Sequence, residues 1–343
     1  MDIGIVMGAF ALASVLCRPW ISDMIDKFGR KSSYAIGSFI MFVLPLTYLL
    51  FKGDLYNFYL ALLLVRVAHG IGFAICTTAA FTYIADIVPK ERLTEGLGIF
   101  GVSGLAGSAI GPVVAELVLH GSGFNALFLT ASAIGLIGFL CQLSLKESYI
   151  HIFRTTESSF FLVLQKKRVF MVALVALLFG FALAAVNGFV SPYANERRVE
   201  FISLYYISYS AAAIFVRLAG ASLVDRLGEN RIIPYALVLT GAGLITLVFM
   251  KGSETLFFSG LITGCGHGLL YPALNTRAIR GEPQAIRGKI TGAYTGSIDA
   301  GSFVGSVLLG YVAELAGFQA LFLVAGLAVI FAIFIFRRDL TTP

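Results

Sequence analysis

Apolar runs of 18 to 22 residues recur from one end of this chain to the other, and the segments between them are not polar enough to coat a soluble surface. About 20 apolar residues in a helix cross the hydrocarbon core of a bilayer, whereas a membrane barrel strand is about half as long and alternates in polarity. Continuous runs of this length therefore specify helices in lipid. Only 13% of the 343 residues are charged and 58% are hydrophobic, where a soluble domain has about a quarter of its residues charged. The predicted fold class is an all-α polytopic membrane protein. Its eleven spans lie near 3–21, 34–51, 57–85, 95–119, 123–143, 169–190, 201–223, 232–250, 255–276, 290–313 and 317–336.

The net charge of +6 would by itself suit a nucleic-acid partner, so the placement of the basic residues decides its meaning. With the first span running from outside to inside, twenty of the 25 Lys and Arg fall in inner loops and at inner ends. Lys52, Arg197, Arg198 and Lys251 fall outside, and Arg66 lies within a span. That bias orients the chain by the positive-inside rule, as a multi-pass protein of the cell (inner) membrane with a cytoplasmic C-terminus. The lipid bilayer is the expected partner and nucleic acid is not. Cys17, Cys76, Cys141 and Cys265 all sit in apolar spans without metal or redox spacing, so they read as core residues and no metal site is expected.

The spans repeat. Arg18, Asp26 and Gly29 match Arg217, Asp225 and Gly228 at an offset of 199, and His69-Gly70 matches His267-Gly268 at 198. Gly107-Ser108-x-x-Gly111 matches Gly301-Ser302-x-x-Gly305 at 194, and Gly123-Phe124-x-Ala126-Leu127-Phe128-Leu129 matches Gly317-Phe318-x-Ala320-Leu321-Phe322-Leu323 at the same offset. Four matches in order, with a slowly drifting offset, indicate a tandem duplication in parallel orientation. The predicted organisation is an N-terminal half 1–143 with five spans, a cytoplasmic central loop 144–168 and a C-terminal half 169–343 with six. The repeat puts the partner of span 169–190 upstream of Met1. On this reading the first half lacks its first helix, either by truncation or as a natural eleven-span variant.

Three motifs carry a family resemblance. Ser22-x-x-x-Asp26-Lys27-x-Gly29-Arg30-Lys31 has a second copy at Ala221-x-x-x-Asp225-Arg226-x-Gly228, where Glu229 replaces the last basic residue. Arg66-x-x-His69-Gly70-x-Gly72-x-Ala74 lies in the third span, and Gly98-x8-Gly107-x3-Gly111-Pro112 in the fourth. Together with two parallel halves and a basic central loop, these resemble the major facilitator superfamily over the whole chain. The resemblance implies two pseudo-symmetric six-helix halves, of which helices 2–12 are present. It makes the first motif the loop signature between helices 2 and 3, the second a proton-coupling motif of helix 4 and the third an antiporter motif of helix 5. Ala115-Glu116 departs from the Gly-Gly pair expected after the third motif.

The residues have physical readings of their own. Gly29 permits a tight turn between adjacent spans, and Asp26, with its repeat Asp225, is placed to latch the two halves beside Ser22, Arg30, Lys31, Arg226 and Gly228. A solvated topogenic loop is the plainer reading. A basic residue inside a span costs about 2.5–3.5 kcal/mol, so Arg66 must face the interior, for proton coupling or substrate binding, or in a structural bond. Asp299 is a lone carboxylate in mid-span; removal from water favours the neutral form of a carboxyl group, as a proton carrier needs, and a packing hydrogen bond is its alternative. His69, His267, Tyr271, Asn275 and Asn187 are candidate substrate-cavity groups or packing partners. Gly98, Gly101, Gly104, Gly107 and Gly111 form one side of a helix where another backbone can approach, with a kink at Pro112.

No nucleophile and base, metal cluster or nucleotide site emerges, so an enzyme is not expected. The expectation is a monomeric secondary transporter that moves a small organic solute by alternating access as proton-coupled efflux. It would use protons and their gradient instead of a cofactor. Import by symport or uniport, and a transport-inactive receptor or remnant, are the alternatives.

Overall fold

The computed structural model describes residues 2–89, 93–148, 163–280 and 284–341. These residues form nine α-helices, and no strand occurs among them. The helices are α1 Asp2–Phe28, α2 Arg30–Thr47, α3 Leu55–Ile87, α4 Leu93–Leu143, α5 Lys167–Glu196, α6 Ser203–Leu227, α7 Glu229–Thr246, α8 Ser253–Ile279 and α9 Gln284–Thr341. Six helical stretches are long and apolar enough to cross a membrane: Arg30–Leu50, Tyr56–Ile84, Ile99–Leu143, Lys167–Glu196, Glu229–Phe249 and Gly292–Arg338.

Two helices are too long for one crossing. The 51 residues of α4 and 58 of α9 would measure about 77 and 87 Å at 1.5 Å per residue. Each is broken by a glycine with positive φ, Gly123 at 77° and Gly317 at 81°. These are the two glycines matched by the repeat, and each joins two apolar runs. No atom lies within 4 Å of the site a Cβ would take at Gly317, so a side chain there meets only backbone strain. Gly317→Ala is expected to cost about 1–3 kcal/mol, read as a lowered unfolding midpoint in detergent.

Read with these breaks, the helical segments fall on the eleven predicted apolar runs, although several extend further. The helix α1 reaches Phe28, past the predicted end at 21. Hydropathy marks where a helix leaves lipid, and the backbone hydrogen bonds continue beyond that point.

The chain forms two compact units, one of Met1–Gly8, Leu105–Pro112 and Arg154–Pro343, the other of Ala9–Gly104 and Val113–Phe153. In the first unit, α5 is buried along most of its length, with Phe179, Phe189 and Tyr193 fully enclosed. Such a helix has no polar face. It meets α9 through glycine: a Cβ at Gly180 would overlap the Ile298 carbonyl, and one at Gly301 the Leu177 carbonyl. The pair α6 and α8 does the same at Gly260, Gly264 and Gly268, which lie on Tyr205, Tyr209 and Ala213. In lipid no hydrophobic force draws helices together, so close backbone approach at small residues supplies the contact.

The second unit is built likewise, with Gly70 against the Phe10 carbonyl, Gly37 against Cys76, and Ser132 Oγ donating to the Phe42 carbonyl at 2.9 Å. Large apolar side chains stay exposed along 34–51, 123–143, 232–250 and 317–336, among them Phe39, Ile137, Tyr235 and Phe331. These stretches hold no ionisable group besides tyrosine and the thiol of Cys141, as a lipid-facing surface requires.

Candidate functional site

Both units contain one arrangement of three rings. In the second unit Phe10 of α1 lies 6.2 Å from the His69 ring and 5.5 Å from Phe73, both on α3. In the first, Tyr209 of α6 lies 5.4 Å from the His267 ring, which stacks at 6.0 Å on Tyr271, both on α8. The repeat pairs these residues one for one: Phe10 with Tyr209 at 199, His69 with His267 and Phe73 with Tyr271 at 198. The copies differ in chemistry. Phe10 and Phe73 are hydrocarbon, whereas their counterparts carry hydroxyls.

The phenolic copy is the richer site. Tyr209 Oη is hydrogen-bonded to His267 Nδ1, and Phe179 of α5 closes on the imidazole edge-on at 5.1 Å. Tyr294 of α9 packs on Tyr271 at 5.4 Å and donates to its carbonyl at 2.9 Å. Arg217 of α6 also stands over the Tyr271 ring, with Cζ 5.3 Å from the ring centroid. Tyr209 and Tyr294 are buried, while Arg217, His267 and Tyr271 keep part of their surface open. The cluster thus offers a cation, three hydroxyls and flat aromatic walls.

The other copy has Arg18 at the register of Arg217 and a further cation besides. Arg66 lies over the Phe10 ring at 5.0 Å, and His69 Nδ1 is hydrogen-bonded to Tyr48 Oη at 3.3 Å. The repeat position of Arg66 is Gly264, where the Tyr209 carbonyl fills the space of a Cβ. A guanidinium and a close backbone contact are therefore alternatives at one register.

A second pair of equivalent sites lies at the loop signature. Gly29 and Gly228 turn the chain with φ of 88° and 77°, and neither gives the following helix a side-chain cap. The Glu147 carboxylate serves α2 instead, accepting from the backbone N–H of Arg30 at 2.9 Å and of Lys31 at 3.1 Å. The buried Arg30 side chain pairs through Nε with Asp86 Oδ2 at 3.0 Å and donates to the Ile25 carbonyl. In the other unit Glu229, 4% exposed, pairs with Arg280 Nε at 2.8 Å. Arg30 and Glu229 each follow the turn glycine, and Asp86 and Arg280 each stand at the end of the next long helix. The same bridge is present twice with its charges exchanged.

The predicted site residues are placed as follows. His267 and Tyr271 come together; Asn275 lies further along α8 in a polar interaction, and Asn187 is exposed on α5. Asp299 is half-buried on α9 and makes a polar interaction, and it falls in a different compact unit from Arg66. The side chains of Ser22, Asp26, Asp225 and Arg226, and the surroundings of Gly98, lie outside the described residues.

At three of the α4 glycines no close helix contact is seen: a Cβ at Gly104, Gly107 or Gly111 would meet nothing within 4 Å. This stretch packs through Leu105, which joins the core of the first unit, and its glycine face points elsewhere. Pro112 is within α4.

Tyr209, Tyr294, Asp86, Glu147 and Arg280 were not expected in a site. Tyr209 was within reach of the repeat, at offset 199 from Phe10. The charge pattern counts Arg217 among the inner-end basic residues, whereas it stands ten residues before the end of α6.

Comparison with known proteins agrees with this architecture. The sequence profile of the Major Facilitator Superfamily matches residues 1–298 and 202–343. An uncharacterised transporter of that type from Methanocaldococcus jannaschii is 25% identical over 340 residues, covering 92% of this chain and 83% of its own. Multidrug resistance protein 2 of Bacillus subtilis is 26% identical over 334 residues, covering 91% and 80%. The crystal structure of the nucleoside transporter NupG superposes with a TM-score of 0.78 at 16% identity, covering 98% of this chain and 90% of that one, a likeness of fold. The helical architecture, the paired repeat clusters and the profile along the whole length identify this membrane protein as a member of the Major Facilitator Superfamily of secondary transporters.

Proposed function

We propose that the chain exports a small organic solute by alternating access, driven by the proton gradient, as a monomer in the cell (inner) membrane. In this reading all eleven helical segments cross the bilayer and the C-terminus is cytoplasmic. The observation that carries export is the relationship, over 91% of the chain, to a multidrug resistance protein. The clustering of hydroxyls, imidazole and guanidinium at one register, away from the apolar outer stretches, supports a solute path inside the protein. Arg66 and Asp299 are the coupling residues of the proposal, and Asp26 and Asp225 its latches. Because the gradient supplies the energy, the reading needs no cofactor.

Everted membrane vesicles test it. A solute panel is offered with an inward-acid pH gradient, and at least one solute is expected to accumulate and to be released by a protonophore. Asp299→Asn is expected to reduce the gradient-dependent part at least tenfold while leaving solute exchange without a gradient. Full pH-driven transport by Asp299→Asn would remove that residue from the mechanism. Accumulation only in right-side-out vesicles would replace export by import.

A further inference from the structure

Arg217 has no carboxylate to neutralise it among the described residues. The titratable groups that face it are the phenols of Tyr209, Tyr271 and Tyr294 and the imidazole of His267, contributed by α6, α8 and α9. Its Nε is buried and lacks a hydrogen-bond partner, while the residue as a whole keeps some open surface. It lies at the edge of the buried stripe of α6, one turn beyond Ala213, the last residue of that stripe to press on a glycine of α8. About 15 Å of helix separates it from the end of α6 at 1.5 Å per residue. A guanidinium at such a place is costly unless something compensates it, and one aromatic face returns only about 0.5–2 kcal/mol.

The surroundings say what would compensate it. A guanidinium presents a planar fork of donors that fits a carboxylate in two parallel bonds. Beside it stand the Tyr271 ring, against which Tyr294 packs edge-on, and the His267 ring stacked on Tyr271. These are flat apolar walls about the size of a fused aromatic body. The other copy has Arg18 at the register of Arg217, but its rings are Phe10 and Phe73, without hydroxyls, and a second cation, Arg66, stacks on Phe10. Both copies carry an arginine at this register, and the difference is the hydroxyls of Tyr209 and Tyr271, which stand where the other copy has Phe10 and Phe73.

We infer that Arg217, Tyr271 and His267 bind an aromatic organic anion, with the anionic group on the guanidinium and the ring system against the two aromatic side chains. This inference names the class of solute within the transport reading above and rests on it for its physiological meaning. The site itself is a binding site whether or not transport is proton-coupled.

The test uses the full chain purified in detergent and three probes of one shape: 2-naphthoate, the neutral 2-naphthamide and the cationic 2-naphthylmethylamine. Binding is read by equilibrium dialysis against protein-free micelles. The wild type is expected to bind naphthoate saturably and at least tenfold more tightly than the amide, with the amine weakest. Arg217→Gln is expected to weaken naphthoate at least tenfold and the amide less than twofold, the latter showing that the aromatic walls are intact. Arg217→Lys keeps the charge but not the fork, and is expected to fall between; it is also the variant read if Arg217→Gln does not fold.

Naphthoate affinity within threefold of wild type in either variant, or tighter binding of the amine than of naphthoate, would overturn the inference. Flux of the same probes in proteoliposomes separates it from the transport reading. Gradient-driven movement of the amine alone keeps the transporter and overturns the anion site. Arginine-dependent binding of naphthoate without any flux keeps the site and overturns transport.

Discussion

Gly301→Val will lose most of its folded protein, while Gly107→Val, at the matching position of the other half, will keep it. At Gly301 a Cβ falls on the Leu177 carbonyl of α5, and the facing contact at Gly180 falls on Ile298 of α9. Both obstacles are backbone, which cannot rotate away as a side chain can. Valine must therefore push α9 from α5, the helix around which the first unit's core is built. Overpacking of this kind costs about 1–3 kcal/mol even where side chains yield, and rigid backbone puts this case at the upper end or beyond. At Gly107 nothing lies within 4 Å. Monodisperse yield on size exclusion, with the unfolding midpoint of what survives, checks both variants. Equal loss at the two positions would show that the glycine face of α4 is packed after all.

Arg280→Glu will be the second large loss. It sets a carboxylate against Glu229, which is 4% exposed and pairs with Arg280 at 2.8 Å. Losing the partner of a buried charge costs about 3–5 kcal/mol, and the half-exposed position of Arg280 reduces that, so about 2–3 kcal/mol is expected. Glu229→Arg alone will fail for the mirror reason. The double variant, Glu229→Arg with Arg280→Glu, recreates the polarity of Arg30 and Asp86 in the other unit and is expected to recover most of the stability. A double-mutant cycle on unfolding midpoints measures the coupling. Additive losses would mean the two side chains do not depend on each other.

The helices were legible because each is an uninterrupted apolar run, and the hairpin breaks because Gly123 and Gly317 repeat with their neighbours. The family followed from short motifs at fixed spacing. The site was legible only in part. His267 stood out through its repeat, and Tyr271 as a polar group on an apolar helix. Tyr209 and Tyr294 are ordinary tyrosines until three helices bring them together, and hydropathy carries no information about that meeting.

Arg217 was misplaced because a linear reading sorts charges by distance from apolar runs, and α6 continues past its last apolar residues. The glycines of α4 misled for a similar reason: a small-residue face permits close approach but does not say whether a neighbour is there. The paired bridges stayed hidden because a search for repeats matches like with like. Arg30 against Glu229, and Asp86 against Arg280, register as mismatches.

That exchange of charge bears on how a duplicated protein avoids confusing its own parts. Two halves with similar helices emerge one after the other into the same bilayer, and α2 resembles α7 as α3 resembles α8. Were the bridges identical, α2 could settle beside α8 and satisfy its arginine there. With the polarity exchanged, that mistaken partnership sets Arg30 against Arg280, and its converse sets Glu229 against Asp86. Each half carries the key to its own lock, and assembly is proofread by repulsion at a single contact.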